Sequence, residues 1–312
     1  MKDYVFGVDV GGTTCKIGFF SADGSLLDKW EIPTDTKNNG INILPDIAEE
    51  INRKLKATGI DEDDVRGIGI GVPGPVTDHR VVSLCENLGW ENVNVAAELR
   101  ELTGLHVKVE NDANLATLGE MWRGNAGGSK NLMLVTLGTG IGAGVIADGE
   151  IITGSAGAAG EIGHMTVNYE ETEQCACGKY GCLEQYGSAT GIVRLAKRRL
   201  AKTEKESVLR KEPELTAKKV FDAAKDGDTV SLEVVEEAGR ILGAALANAA
   251  CVTNPEVIVI GGGVSKAGPI LTDCIKKYFD RYVYADCRKV RFVTASLGND
   301  AGIYGCVRLM NS

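Results

Sequence analysis

The sequence predicts an α/β protein built from two related sheets, and three observations predict it. Apolar runs of strand length alternate along the chain with stretches of helical spacing. The pattern strand, Gly-Thr turn, strand, Ala22-Asp23-Gly24, strand over residues 4–32 returns from Leu132, with Ala147-Asp148-Gly149 at the matching place. Such self-similarity is the mark of an internal duplication. Finally, the 40 glycines gather at the ends of apolar runs, where they permit positive φ and close backbone approach to a ligand.

Taken in order, Tyr4 to Val10 is an apolar strand, Lys16 to Phe20 a second, and Leu26 to Ile32 a third beyond the Ala-Asp-Gly turn. Ile41, Leu44, Ile47, Ile51 and Leu55 fall at helical spacing, so 41–55 is a helix. Val65 to Gly71 is a short strand running into Val72-Pro73-Gly74-Pro75. Val95 to Leu102 is helical, and His106 to Val109 is a buried strand. Asn111-Asp112 then opens a helix to about Trp122, with the short polar side chains that helix starts prefer. Leu132 to Leu137 and Gly144 to Ile146 are strands of the second copy. Helices follow at 187–202, 217–226 and 230–252, with the charged stretch 204–214 as a solvated turn. Val257 to Ile260 is a strand, Ile270 to Phe279 a helix, Val290 to Thr294 the last strand and Ala301 to Leu309 the last helix.

Composition narrows the function. The net charge of −9 argues against a general nucleic-acid binder, which would be basic. No run of about 18 apolar residues predicts a membrane span, and the start of the chain reads as a strand rather than a signal peptide. The nine cysteines are an odd number, scattered mostly within apolar patterns, which fits a reduced, cytoplasmic protein.

His164, Cys175, Cys177 and Cys182 form the series His-x10-Cys-x-Cys-x4-Cys. One imidazole and three thiols make the ligand set of a closed tetrahedral zinc site, and four protein ligands leave no open position, so the role is structural. Free buried thiols, or a disulfide with one thiol left over, are the competing readings. The glycine-rich, polar setting and the reducing compartment favour zinc. Glu161 and Glu184 flank the cluster, so a metal knot would fix two acids and an imidazole in place.

Two further loops carry anion chemistry. In Asp9-Val10-Gly11-Gly12-Thr13-Thr14-Cys15-Lys16 the glycines free backbone N–H groups, Thr13 and Thr14 add hydroxyls, and Lys16 adds charge. Asp9 ends its strand as an oxygen ligand for magnesium. Gly138-Thr139-Gly140-Ile141-Gly142 repeats the device; because strand rather than helix follows, it is not a dinucleotide turn. Gly261-Gly262-Gly263 after a strand is a third such loop. Asp112 at a helix start is a cap by one reading and a functional carboxylate by another.

Together these segments resemble the ROK family of repressors, open reading frames and kinases, and most of all its bacterial glucokinase branch. Asp9-x-Gly11-Gly12-Thr13-x-x-Lys16 and Gly138-Thr139-Gly140-x-Gly142 are similar to the family's two phosphate motifs. Gly261-Gly262-Gly263 resembles its adenosine motif, and Glu161-x-Gly163-His164 with the cysteine series resembles its sugar and zinc signatures. The resemblance implies an actin-like ATPase fold with two duplicated ribonuclease-H-like domains and a cleft between them. The expected division is a small domain of residues 1–112 plus about 298–312 and a large domain of 113–297 carrying the zinc loop. It also implies ATP-dependent phosphorylation of the carbon-6 hydroxyl of glucose, with Asp112 as catalytic base. Asn87, Asn111, Asp112, Glu161, His164 and Glu184 would bind the sugar. Asp9, Gly11, Gly12, Thr13, Thr14, Lys16, Gly138, Thr139, Gly140, Gly142, Gly262 and Gly263 would bind ATP with Mg2+. A homodimer, with neither nucleic acid nor membrane as partner, is the family expectation. Another hexose kinase, for N-acetylglucosamine, N-acetylmannosamine or fructose, shares these motifs. A non-catalytic sugar-sensing regulator would need a DNA-reading segment, and with a strand begun by Tyr4 none is expected.

Overall fold

A computed structural model describes residues 2–312. Two five-stranded sheets form its frame. The first comprises β1 (Tyr4–Val10), β2 (Thr14–Ser21), β3 (Leu26–Pro33), β4 (Val65–Val72) and β8 (Val107–Asn111), in the order β3-β2-β1-β4-β8. The second comprises β9 (Leu132–Leu137), β10 (Ile141–Ala147), β11 (Glu150–Ile151), β12 (Val257–Gly261) and β13 (Arg291–Thr294), in the order β11-β10-β9-β12-β13. In each, an antiparallel three-stranded meander comes first and two parallel strands extend the sheet from its first strand. The duplication read from the sequence is therefore a repeat of topology, strand for strand.

Burial follows from position in these sheets. Central β4 and β12 are apolar on both faces and almost wholly buried, as strands covered on both sides must be. Edge strand β3 is largely exposed and carries Asp28, Lys29 and Glu31, charges of the kind that blunt an open edge.

Helices α1 (Ile43–Thr58) and α2 (Val95–Thr103) pack in the core of the first sheet. On the second sheet lie α4 (Ala189–Ala201), α5 (Ala217–Lys225), α6 (Thr229–Thr253) and α7 (Pro269–Tyr282), the last three of these packed in sequence. Two longer helices remain, α3 (Asp112–Arg123) and α8 (Ala301–Met310). They cross each other between the sheets and share a core with residues of both. Glycine makes the crossing possible. A Cβ on Gly119 would sit 2.2 Å from the Ala301 carbonyl oxygen, and one on Gly305 would sit 1.8 Å from that of Leu115. No helix among the described residues is long and apolar enough to cross a membrane.

Several boundaries differ from expectation for local reasons. The first helix begins at Ile43 rather than Ile41, because Asn38, Asn39 and Gly40 hold left-handed backbone just before it and leave Ile41 exposed. The helix expected at 187–202 is interrupted at Ser188, whose hydroxyl accepts the Gly191 N–H at 3.0 Å and caps α4. The charged stretch 204–214 buries Leu209 in a short 3-10 turn. A small antiparallel sheet of β5 (Val76–Thr77), β6 (Val81–Cys85) and β7 (Trp90–Val93) was not anticipated. Its strands are too short, and alternate too weakly, to stand out in the sequence.

The α3–α8 crossing gives a stability prediction. Gly305→Ala forces the helices apart at backbone atoms that cannot rotate away, so chemical denaturation should show a loss of about 1–3 kcal/mol or more, whereas Gly12→Ala, whose Cβ meets nothing within 4 Å and whose backbone is not left-handed, should cost less.

Candidate active site

A cleft of about 1090 Å³ opens between the two sheets. Its walls come from the end of β1 (Asp9), the loop after β4 (Pro73, Gly74), the start of α3, the β9–β10 turn, the glycines after β12 and the loop 295–302. Ligand sites in open α/β sheets lie at such strand ends.

Asp112 begins α3. Asn111 is the cap: its Oδ1 accepts the N–H groups of Ala113 (2.9 Å) and Asn114 (3.2 Å), and its Nδ2 donates to the Gly74 carbonyl (3.1 Å). One reading of Asp112 was a cap; the structure gives that task to Asn111 and leaves the Asp112 carboxylate facing the cleft, with one contact from the Ala113 N–H at 2.8 Å. Withdrawal from bulk water raises its carboxyl above the ordinary value, and the nearby charge of Glu161 adds to the rise. No lysine or arginine pairs with it among the described residues. Asp9 is pushed up to about 6 by desolvation and then by Asp112, with Lys16 opposing. Its carboxylate lies against the start of α8, where a Cβ on Gly302 would come within 2.7 Å of Oδ2.

The first glycine turn, Gly11, Gly12 and Thr13 with Thr14, is a tight hairpin closed by the Gly11 N–H on the Thr14 carbonyl (3.0 Å) and braced by Thr34. It is largely exposed and does not line the cavity. Lys16, expected to offer its charge to phosphate, is engaged elsewhere: its ammonium meets the Asn299 carbonyl and the Asp300 carboxylate (3.3 Å), and the side chain is 12% exposed. In the second turn Gly138, Gly140 and Gly142 line the cleft. The start of α4 holds this turn, with Ala189 N–H on the Gly138 carbonyl and the Thr190 hydroxyl on that of Thr139, both at 2.8 Å. Thr139 faces an adjoining cavity of about 530 Å³ with Ala189, Ala217, Phe221 and Val264. Gly138 and Gly263 border both spaces, and Gly262 borders the cleft. At Gly262, φ is +81° and a Cβ would strike the Leu137 backbone at 2.5 Å, so only glycine fits.

Asn87, Glu161 and Glu184 also line the cleft; His164 stands behind the two acids, its Nε2 4.0 Å from Glu161 Oε2 and its Nδ1 3.6 Å from Glu184 Oε1. One donor atom each from His164, Cys175, Cys177 and Cys182 falls within 4.8 Å of the others, with Cys177 and Cys182 sulfurs 3.6 Å apart. Thiolates on one tetrahedral zinc ion are ~3.8 Å apart. His164 Nδ1 is buried without a hydrogen-bond partner, an orphaned ligand atom of the kind a metal satisfies. Glu184 joins this knot to the glycine turn: Oε1 takes the Cys175 thiol at 2.9 Å, while a Cβ on Gly140 would lie 2.8 Å from Oε2.

The sequence pattern of the ROK family matches residues 5–312. The chain belongs to the ROK family. Among its ROK relatives, a glucokinase of Halalkalibacterium halodurans is 47% identical over 96% of this chain and 92% of its own. A ROK family glucokinase from Streptomyces griseus, solved with glucose and AMPPNP, superposes with a TM-score of 0.76 at 32% identity, covering 98% of each chain. The ROK hexokinase from Thermus thermophilus superposes at 0.81 with 30% identity, over 98% of this chain and 97% of that one. The ROK kinases' actin-like α/β fold is the fold described above.

Sequence reasoning passed over the loop 295–302 and Glu120. Glu120 is fully buried in α3. Its Oε1 accepts the N–H groups of Ser296 (2.8 Å) and Leu297 (2.7 Å), and its Oε2 accepts that of Asn125 (3.2 Å). A signal for the loop was present. Asn299-Asp300-Ala301 repeats Asn111-Asp112-Ala113, and each tripeptide follows the last strand of its sheet and opens one of the two crossing helices.

The thiol loop has a second anchor that owes nothing to metal. Glu171, its side chain 2% exposed, accepts from Arg198 (2.8 Å) and the Tyr186 hydroxyl (2.5 Å) and forms an ion pair with Arg194 (2.6 Å). The Arg198 hydrogen bond holds its carboxyl well below the usual carboxylate range, against the opposing effect of burial. A depressed carboxyl stabilises the fold above its unfolded value, about 4.3, and that stability is lost as pH falls below it. Thermal melts should show Glu171→Gln destabilised by about 3 kcal/mol at neutral pH, and the gap to the parent should narrow as the pH drops into that acid range.

Proposed function

We propose that this ROK chain is a glucokinase, transferring the γ-phosphoryl group of ATP to the carbon-6 hydroxyl of glucose. The observation that carries the proposal is the Asp112 carboxylate: unpaired, raised, and facing the cleft at the start of α3 beside two glycine turns. A base that takes a hydroxyl proton needs a carboxylate of raised basicity near the acceptor. Asp300, its counterpart in the second repeat, is unsuited. Burial would raise Asp300, but Lys29 and Lys16 outweigh it and hold the carboxyl below its usual value. Two matching aspartates are thus driven apart in basicity, and the more basic of the two takes the proton.

Asn87, Asn111, Glu161, His164 and Glu184 would hold the sugar hydroxyls around Asp112. Gly138, Thr139, Gly140 and Gly142 would take the phosphates; Gly11, Gly12, Thr13 and Thr14 lie outside the cavity, and Lys16 would reach a phosphate only by giving up its pair with Asp300. The apolar cavity beside Thr139 and Gly263 suits a nucleotide base, which needs a flat, largely hydrocarbon slot. Phosphoryl transfer asks the protein mainly for position and charge stabilisation, and Mg2+ supplies much of that charge when bound. Asp9 is the residue to hold it, an oxygen donor whose raised carboxyl next to Asp112 would be relieved by a cation. His164, Cys175, Cys177 and Cys182 would hold structural zinc, supported by the orphaned His164 nitrogen and the compact thiol set. Residues 1–112 with 298–312 and residues 113–297 are the two units we infer to close around the substrates, in the cytoplasm where nine free thiols persist.

The decisive experiment is an ADP-release assay over glucose, fructose, N-acetylglucosamine and N-acetylmannosamine. Glucose should give the highest kcat/KM, and a different winner would reassign the substrate. Asp112→Asn in the same assay should lose roughly 10²–10⁴-fold in kcat while glucose still binds by calorimetry. Cys177→Ser should drop metal content from near one equivalent to near zero and raise the glucose KM by about tenfold or more; an unchanged KM in the metal-free variant would uncouple the knot from the sugar.

A further inference from the structure

The turn joining β5 to β6, Thr77-Asp78-His79-Arg80, has both central residues in left-handed backbone, Asp78 at φ +53° and His79 at φ +52°. The Arg80 N–H closes it on the Thr77 carbonyl at 3.0 Å. This is the mirror-image turn that suits hairpin twist, and Asp-Gly is one of its preferred pairs. Asp78 satisfies the preference; His79 stands where glycine would be free of strain. A side chain kept in such backbone is held there by its surroundings, and residues of this kind gather at functional sites.

What holds His79 leads toward the reacting carboxylate. Its Nδ1 lies 3.1 Å from Glu110 Oε2, and its carbonyl accepts the Val109 N–H at 2.9 Å. Glu110 is 1% exposed. Its Oε1 accepts the Asn111 N–H at 2.8 Å and Asn114 Nδ2 at 3.0 Å. Asn111 in turn caps α3 and precedes Asp112. Neither His79 nor Glu110 lines the substrate cleft; both face a separate cavity of about 230 Å³, shared with Thr153 and Ser155. Removing the imidazole takes its neighbour away from Oε2, on the side of Glu110 that borders this cavity. A carboxylate no longer held on that side is free to turn, and turning it loosens the Asn111 N–H that positions the helix cap.

We propose that His79 is a positioning residue for phosphoryl transfer, acting through Glu110 and Asn111 on the carboxylate of Asp112. The proposal rests on the base role given to Asp112 above. It explains why the hairpin carries histidine at a position that favours glycine: the turn accepts strain so that the pair with Glu110 can form.

The test separates this role from a structural one, because His79→Gly creates the preferred Asp-Gly turn. H79G should therefore melt within a few degrees of the parent, or higher, while kcat with glucose and ATP falls about tenfold, a loss expected from displacing a reacting group by a fraction of an ångström. KM for glucose should change less than about twofold. H79Q, which keeps a donor for Glu110, should recover part of the turnover. E110Q should show the same kcat defect, and the H79G/E110Q double variant should be no slower than E110Q, since the two act in series. Full turnover in H79G, or additive losses in the double variant, would overturn the proposal. An Asp112→Asn control in the same assay keeps the two readings apart. An inactive control beside a fully active H79G sinks the positioning role alone, and a near-parental control removes the base assignment and this proposal with it.

Discussion

The contact on which the rest of the molecule depends is the crossing of α3 and α8. Each helix leaves one repeat and packs in the space between both sheets, and Gly119 and Gly305 let their backbones meet. Because each helix follows the last strand of its sheet, the crossing brings the first residues of both into one cleft. A helix start presents free N–H groups and positive potential. The fold therefore concentrates two such starts, and the glycine turns near them, where a highly charged substrate would lie.

Symmetry of backbone does not carry over to symmetry of charge. Asp112 and Asp300 occupy matching places, yet one lacks a cation and the other holds Lys16 and Lys29. The difference traces to the neighbours supplied by the first meander, since Lys16 lies on β2 and Lys29 on β3. The duplicated scaffold thus provides two equivalent carboxylates, and the strands around them separate an unpaired carboxylate facing the cleft from one held in ion pairs. Likewise, the thiol loop is organised twice, by its own donor cluster and by Glu171 with its arginines. The second device orders the loop in advance and lowers the entropic cost of gathering the imidazole and three thiols.

Much of this was written plainly in the sequence. Apolar runs such as Leu132–Leu137 and Val257–Gly261 are buried on both faces and leave little ambiguity about strand. The thiol spacing identified a cluster that the chain does gather, because its ligands are close in sequence and set in turns. What escaped notice depends on contacts between distant residues. Nothing local distinguishes Glu120 from a surface glutamate; its partners at Ser296 and Leu297 lie across the whole second repeat. Lys16 read as a free cation because Asp300 is remote in sequence. His79 looked like an ordinary loop residue until its backbone and its buried partner were seen together. The small sheet of 76–93 was hidden for another reason, since strands of two to five residues carry too little pattern to be recognised.

Helix α3 also works as a ruler. It carries Asp112 at its first residue and, two turns on, Glu120, which grips the loop at Ser296 and Leu297. At a rise of 1.5 Å per residue the two are separated by about 12 Å along a rigid axis. Inserting or deleting one residue between them would rotate Glu120 by roughly 100° and leave the loop without its anchor. Over evolutionary time this segment should hold its length while the exposed stretch around 203–207 gains and loses residues freely.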